Sequence, residues 1–209
     1  MVDERPALLL SIDFEDWHQL VHRRLRLPDW DRRSAAFERQ TAATFDLLDA
    51  LGARATFFLP ADVVQGDRGL LSSLSAAGEI QNGGTARAVS VLSTPFEVHR
   101  QVARGSQEIR GATGRTPTYY LPAKGSFNPA AYLGATSAHQ RGVVGSLRIH
   151  TARGAARTLR PGDVVVLDLT NINGERARRM LATFLDRAQA RGLRIVDLSS
   201  VSAGADVEP

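Results

Sequence analysis

The chain has 209 residues, of which 43% are hydrophobic and 23% charged, and it contains no cysteine. That composition fits one globular domain with a sizeable core. It excludes disulfides, thiolate metal sites and cysteine nucleophiles. The net charge is +4, and the positive charge is almost wholly arginine, with Lys124 the only lysine. These arginines are interleaved with Asp and Glu rather than gathered on one stripe, so no nucleic-acid partner is expected. The densest run, His22-Arg23-Arg24-Leu25-Arg26, is too short to argue otherwise. The acidic start lacks the basic region and long apolar core of a signal peptide. No stretch approaches a membrane span, and a cytoplasmic location is expected.

Taken in chain order, the pattern alternates strand and helix. Residues 7–14 are an apolar run ending in acids, which predicts a buried strand. Residues 34–51 carry Phe37, Ala42, Phe45, Leu48 and Leu51 near helical spacing, with Gly52 as the cap. Residues 55–59 predict a second buried strand. Residues 70–77 read as a short helix ending at Gly78, and Glu79-Ile80 opens a third strand. Residues 95–113 predict a helix with Phe96, Val102 and Ile109 on its apolar side, closed by Gly114. Residues 118–121 and 141–147 are further strands, and 164–169 is the clearest of all. An amphipathic helix over 175–190, capped by Gly192, leads to a last strand at 193–198. The expected architecture is a parallel α/β sheet or barrel with helices outside. It forms one domain over residues 1–202, with a frayed tail at 203–209. Chemistry in such folds sits at the C-terminal ends of the strands. That rule gathers Asp13, Glu15, Asp16, Asn82, Gly83, Leu121 and Asp168 on one rim.

Ser11-Ile12-Asp13-Phe14-Glu15-Asp16-Trp17 resembles the first motif of NodB-type polysaccharide deacetylases, in the branch that reads Asp-x-Glu-Asp-Trp/Tyr. Ala55-Thr56-Phe57-Phe58-Leu59 resembles the family's second strand, and Ala77-Gly78-Glu79-Ile80 its Gly-His-Glu-Ile. Gly114-Arg115-Thr116-Pro117 stands where the arginine motif begins. Gly162-Asp163-Val164-Val165-Val166-Leu167 and Gly192-Leu193-Arg194-Ile195-Val196 resemble the closing strands. The matches run in order from about residue 7 to residue 201. The resemblance implies a NodB-like distorted (β/α) barrel. It is a trimmed one, because only about forty residues separate Pro122 from Gly162 where the family places two strand–helix units.

The resemblance also implies a mechanism. A general-base aspartate activates water on a divalent metal held by a carboxylate and a His-x-x-x-His pair. An arginine orients the base, and a late histidine protonates the leaving amine. Asp13 falls on the base. Glu15 or Asp16 falls on the metal carboxylate, and the choice stays open. The histidines fall on Gly83 and Arg87, the arginine on Leu121, and the late histidine on Asp168. Glycine has no side chain and a guanidinium has no lone pair to offer a metal. The resemblance therefore implies a degenerate member without metal-dependent deacetylase activity, and no cofactor is expected.

Three functional readings follow. The first is a non-catalytic subunit or binding partner, in a hetero-oligomer with a biosynthetic enzyme of small-molecule or glycan metabolism. Trp17, Trp30, Tyr119 and Tyr120 would then be interface anchors. The second is a repurposed, metal-independent enzyme using Asp13, Glu15, Asp16 and Asp168 on a small substrate. The third is a hydrolase with a rebuilt metal site, for which His18 and His22 share one helical face. Asn82-Gly83-Gly84-Thr85 is read as a plain turn rather than an anion nest, because no phosphate-loop signature surrounds it.

Overall fold

The computed structural model describes residues 6–13, 35–50, 52–64, 68–85, 92–122, 127–149, 159–168 and 174–202. The apolar runs become short parallel strands: β1 (Ala7–Asp13), β2 (Ala55–Leu59), β3 (Gly78–Asn82), β4 (Tyr119–Tyr120), β5 (Arg141–Gly142), β6 (Leu147–Ile149), β7 (Val164–Asp168) and β8 (Arg194–Val196). The helical patterns become α1 (Ala35–Ala50), α2 (Ala61–Val64), α3 (Arg68–Ala77), α4 (Pro95–Thr113), α5 (Pro129–Ser137), α6 (Gly174–Ala190) and α7 (Ser199–Ser202). The sheet order is β5-β4-β3-β2-β1-β7-β6, with β8 pairing β1 at Ala7 to Leu9. Every strand pair is parallel. This is the curled parallel sheet of a NodB-like distorted (β/α) barrel.

Strand alternation divides the core into two layers. Leu8, Leu10, Ile12, Phe57, Leu59, Val165 and Leu167 pack outward against α1, α3 and α6 through Leu48, Leu74, Leu181 and Phe184. Each such buried side chain contributes about 1.5–3 kcal/mol of transfer free energy, so this outer layer is the chief source of stability. Leu9, Phe58, Leu121, Val143 and Val166 pack inward with Leu198. A third cluster joins α4 to α5 through Val98, Val102, Tyr120, Ala131 and Ala135. The N-terminus of α4 is fixed by a capping box: the Glu97 N–H donates to Thr94 Oγ1 at 3.2 Å, and the Thr94 N–H donates to Glu97 Oε2 at 2.8 Å.

Two expectations are corrected. Residues 141–147 are not one strand. They contain two short ones, β5 and the start of β6, which pair at opposite edges of the sheet. Only residues 143–146 lie between them, and the five peptide units from Gly142 to Leu147 reach at most about 18 Å. The sheet must therefore curl far enough for one segment to touch both edges. The Val143 N–H donates to Tyr120 O on one side at 2.8 Å. On the other side Ser146 Oγ accepts from the Val164 N–H at 3.0 Å. The second correction is α5, a helix that the sequence pattern does not announce. Asn128 caps it by accepting from the Ala131 N–H at 2.8 Å. Among the described residues between Pro122 and Gly162 stand one helix, α5, and the two short strands β5 and β6.

Candidate functional site

The C-terminal rim is built from the ends of β1, β2, β3, β4 and β7. Asp13 ends β1 and Asp168 ends β7, and the two are Cα register partners. Phe58 is the register partner of Asp13 on the other side. The backbone thus brings together two of the four acids that sequence places on this rim. Glu15, Asp16, Trp17, His18, His22, Trp30 and Arg87 lie outside the described residues.

Gly83 follows β3 directly, and its backbone is pinned. Its N–H donates to Leu59 O at 2.9 Å, and the Ala61 N–H donates to Gly84 O at 2.8 Å. A Cβ at Gly83 would stand 2.8 Å from Leu59 C, 2.9 Å from Pro60 N and 3.0 Å from Leu59 O. Those are backbone atoms that cannot swing aside, so the position holds no side chain and admits none without moving the main chain. Gly84 has φ +79, a left-handed conformation that glycine adopts readily. Its N–H donates to Asn82 Oδ1 at 2.7 Å. The Gly83 and Gly84 N–H groups are therefore already bound, as a turn requires. Asn82 itself is fully buried and holds this corner. Its Nδ2 donates to Val102 O at 2.8 Å and to Gln140 Oε1 at 2.9 Å.

Leu121 is buried in the inner layer with Phe58, Val143 and Val166. The position that the resemblance assigns to an arginine thus holds a buried apolar side chain. Tyr120 is only 1% exposed, and its ring lies 3.2 Å from where a Cβ on Gly84 would stand. Burial pushes its phenol well above the ordinary tyrosine range. It fills the core and is not available as an interface anchor, which corrects that expectation. Tyr119 is half-buried and packs against the inner layer. His99 Nδ1 lies 2.9 Å from Ser137 Oγ, whose hydroxyl donates to Gly134 O at 2.9 Å. Among the described residues no group of three His, Cys, Asp or Glu could hold a metal ion. No helix among them is long and apolar enough to cross a membrane.

The opposite end of the barrel interior is polar in a way that the sequence reading missed. Thr56 Oγ1 donates to Glu79 Oε1 at 2.7 Å, and Gln81 Nε2 donates to Glu79 Oε2 at 3.1 Å. Gln81 Oε1 accepts from the N–H groups of Thr118 and Tyr119, each at 2.9 Å. The chain after β8 closes over this end: the Leu198 N–H donates to Thr56 Oγ1 at 2.8 Å and the Ser199 N–H to Glu79 Oε1 at 3.1 Å. Asp197 accepts from Arg54 Nε at 3.0 Å and from the Ser200 N–H at 3.0 Å, with Ser200 Oγ also on the carboxylate. Burial alone would raise the Asp197 pKa, but the hydrogen bonds from Ser200 and Arg54 outweigh it and hold the carboxyl below the usual range. The available signal was a lone polar residue, Thr56, in the apolar strand β2 and the alternating Glu79 and Gln81 in β3.

The comparisons agree with the fold. The polysaccharide deacetylase family model matches residues 30–143, more than half of the chain, and the chain belongs to that family. No curated protein matches it. Among solved structures it resembles a CE4 family pseudoenzyme from Bacillus anthracis, with a TM-score of 0.72 and 16% identity. That match covers 94% of this chain and 65% of the other, so the chain spans less than two thirds of that pseudoenzyme's length. A mutant of the same pseudoenzyme with restored enzymatic activity matches at a TM-score of 0.70 and 16% identity, over 94% and 67% of the two chains. The peptidoglycan deacetylase PdaC from Bacillus subtilis matches at 0.72 and 15%, over 97% and 93%. At these identities the structural likeness establishes the fold.

Proposed function

We propose that this chain is a non-catalytic member of the polysaccharide deacetylase family. It serves as a subunit or binding partner of a biosynthetic enzyme in small-molecule or glycan metabolism. The observation that carries the reading is the corner at Gly83. The first metal-histidine position is not merely substituted; its main chain is seated against Leu59 and Pro60, where a Cβ has no room. Leu121 in the inner layer removes the cation that would orient a base. The test is to rebuild the ligands. Gly83→His with Arg87→His is expected to take up no stoichiometric zinc or cobalt and to release no acetate from an N-acetylated oligosaccharide. A metal-loaded, folded double variant overturns the reading. The partner is tested by copurification from the native source with size-exclusion and light scattering; a chain that is always monomeric and partnerless counts against it.

The register pairing of Asp13 with Asp168 favours one second reading, a metal-independent enzyme that uses these acids on a small substrate. Asp13→Asn then abolishes turnover while the melting temperature is kept. Unchanged turnover in that variant removes Asp13 from the mechanism.

A further inference from the structure

Among the described residues the large apolar side chains left in solvent are Leu92, Phe96, Tyr132, Leu133 and Val144. All lie between residues 92 and 144, on the β3–β4–β5 half of the sheet. The other half presents a different surface: on α6 the outward Glu175 and Arg179 lie 3.8 Å apart as an ion pair. β3, β4 and β5 are parallel, so α4 and α5, which join them in turn, run the same way and both start at the rim end. One contact fixes their relative height: His99 Nδ1 lies 2.9 Å from Ser137 Oγ. Phe96 is one turn before His99 and Leu133 one turn before Ser137, so the two stand side by side on adjacent helices. Phe96 is 68% exposed and Leu133 52%. A contiguous apolar surface of this kind marks an interaction site.

The charge beside it is one-sided. Phe96, Arg100 and Arg104 form an exposed row along α4 at four-residue spacing. The Arg100 guanidinium lies 5.9 Å from the Phe96 ring centroid. The exposed row on α5, with Tyr132, Leu133 and Thr136, carries no charge. Gly134 lets the two helices approach closely: a Cβ there would stand 2.6 Å from Val98 Cβ. Between residues 92 and 146 the described residues hold five arginines against Glu97 and Glu108. Glu97 already accepts from the Thr94 N–H in its own capping box.

We propose that this α4–α5 face is where the partner protein docks, and that it takes an acidic amphipathic helix of that partner. The proposal rests on the reading that the chain is a non-catalytic binding partner. An apolar row beside a basic row, along two parallel helices, matches a helix with one apolar and one acidic face. Arginines suit carboxylates because the planar guanidinium binds them in a two-pronged fashion. A second copy of this chain is disfavoured, since it would set one arginine-rich face against another. An anionic membrane is disfavoured too, because the apolar row of α5 carries no lysine or arginine to meet its headgroups. Phe96 and Leu133 are the central anchors, and Arg100 and Arg104 set the orientation and speed the encounter.

The test uses the full chain and the protein that copurifies with it from the native source. Phe96→Ser with Leu133→Ser is expected to weaken that binding roughly tenfold or more, with the melting temperature kept because both side chains are exposed. Arg100→Gln with Arg104→Gln is expected to weaken it about tenfold at low salt and to remove most of its salt dependence. Glu175→Gln with Arg179→Gln on α6 is the control and leaves the binding unchanged. A photo-crosslinking residue in place of Thr136, read out by mass spectrometry, is expected to join to an acidic amphipathic segment of the partner. Unchanged binding in the Phe96 and Leu133 double variant overturns the proposal. So does a crosslinked segment that is basic or that belongs to a second copy of this chain. Sedimentation with phosphatidylglycerol vesicles that the same double variant abolishes overturns it in favour of a membrane. Recovery of no partner at all overturns the underlying reading and the proposal with it, whereas a partner indifferent to this face overturns the proposal alone.

Discussion

The two ends of the barrel interior have been treated differently. At the N-terminal end Thr56, Glu79, Gln81 and Asp197 satisfy one another and the backbone around them. At the C-terminal end the described positions that resemble the family's working residues hold glycine, leucine and aspartate in place of histidine, arginine and histidine. A polar network that is fully hydrogen-bonded stabilises the fold whatever the protein does. At the C-terminal end the described corner is held by the main chain: the Gly83 N–H donates to Leu59 O, and a Cβ at Gly83 would meet Leu59 and Pro60 backbone atoms.

Four outcomes would break or sharpen that contrast. The largest effect is expected at the floor. Asp197→Ala removes a buried carboxylate that accepts from Arg54 and Ser200, and should cost about 2–4 kcal/mol in urea unfolding. A loss below about 0.5 kcal/mol would mean that the floor is ornamental. Next comes the corner. Gly83→Ala should cost about 1–3 kcal/mol through overpacking. Gly111→Ala is the internal control: it lies in α4 with nothing within 4 Å of its Cβ, and should gain about 0.5–1 kcal/mol. Equal behaviour of the two glycines would dissolve the argument for a locked corner.

A smaller effect is expected from pH. The folded Asp197 pKa lies below its ordinary value. Its contribution is therefore fully present above the unfolded pKa of about 4 and is lost as pH falls through the folded value. The stability gap between the wild type and Asp197→Asn should be constant from pH 7 to 5 and should close in stronger acid. A gap that widens on acidification contradicts the assignment. Away from both ends, Thr94→Ala removes the α4 capping box and should cost about 1 kcal/mol in urea unfolding.

Most of the frame was legible in the sequence because buried parallel strands are continuous apolar runs and their helices have a 3.6-residue period. Residues 95–113 and 55–59 came out with those bounds. The helix α5 was not legible. Its sequence is small and apolar on every side, with Tyr132 and Leu133 exposed while Ala131, Gly134 and Ala135 are buried. Such a segment has no stripe to detect. The rim acids were legible because the strand ends were, and register did the rest. The floor was not, because the bonds that close it join residues more than a hundred positions apart, Leu198 to Thr56 and Ser199 to Glu79, and polar residues within β2 and β3 do not by themselves announce that closure. Tyr120 was misread for a related reason: an aromatic beside a rim looks like an anchor until packing shows that it closes the α4–α5 layer.

The segment from Arg141 to Ile149 has a consequence for how the molecule assembles and opens. One stretch supplies the outermost strand at both edges, so neither edge is finished until β4 and β7 are both in place. Its docking is non-local on each side, and loop closure makes such contacts late and slow. Barrel closure is thereby reserved for the end of folding. In reverse, the same seam is where the barrel should first breathe: amide hydrogens of Val143 and Val164 are expected to exchange before those of β1 and β2.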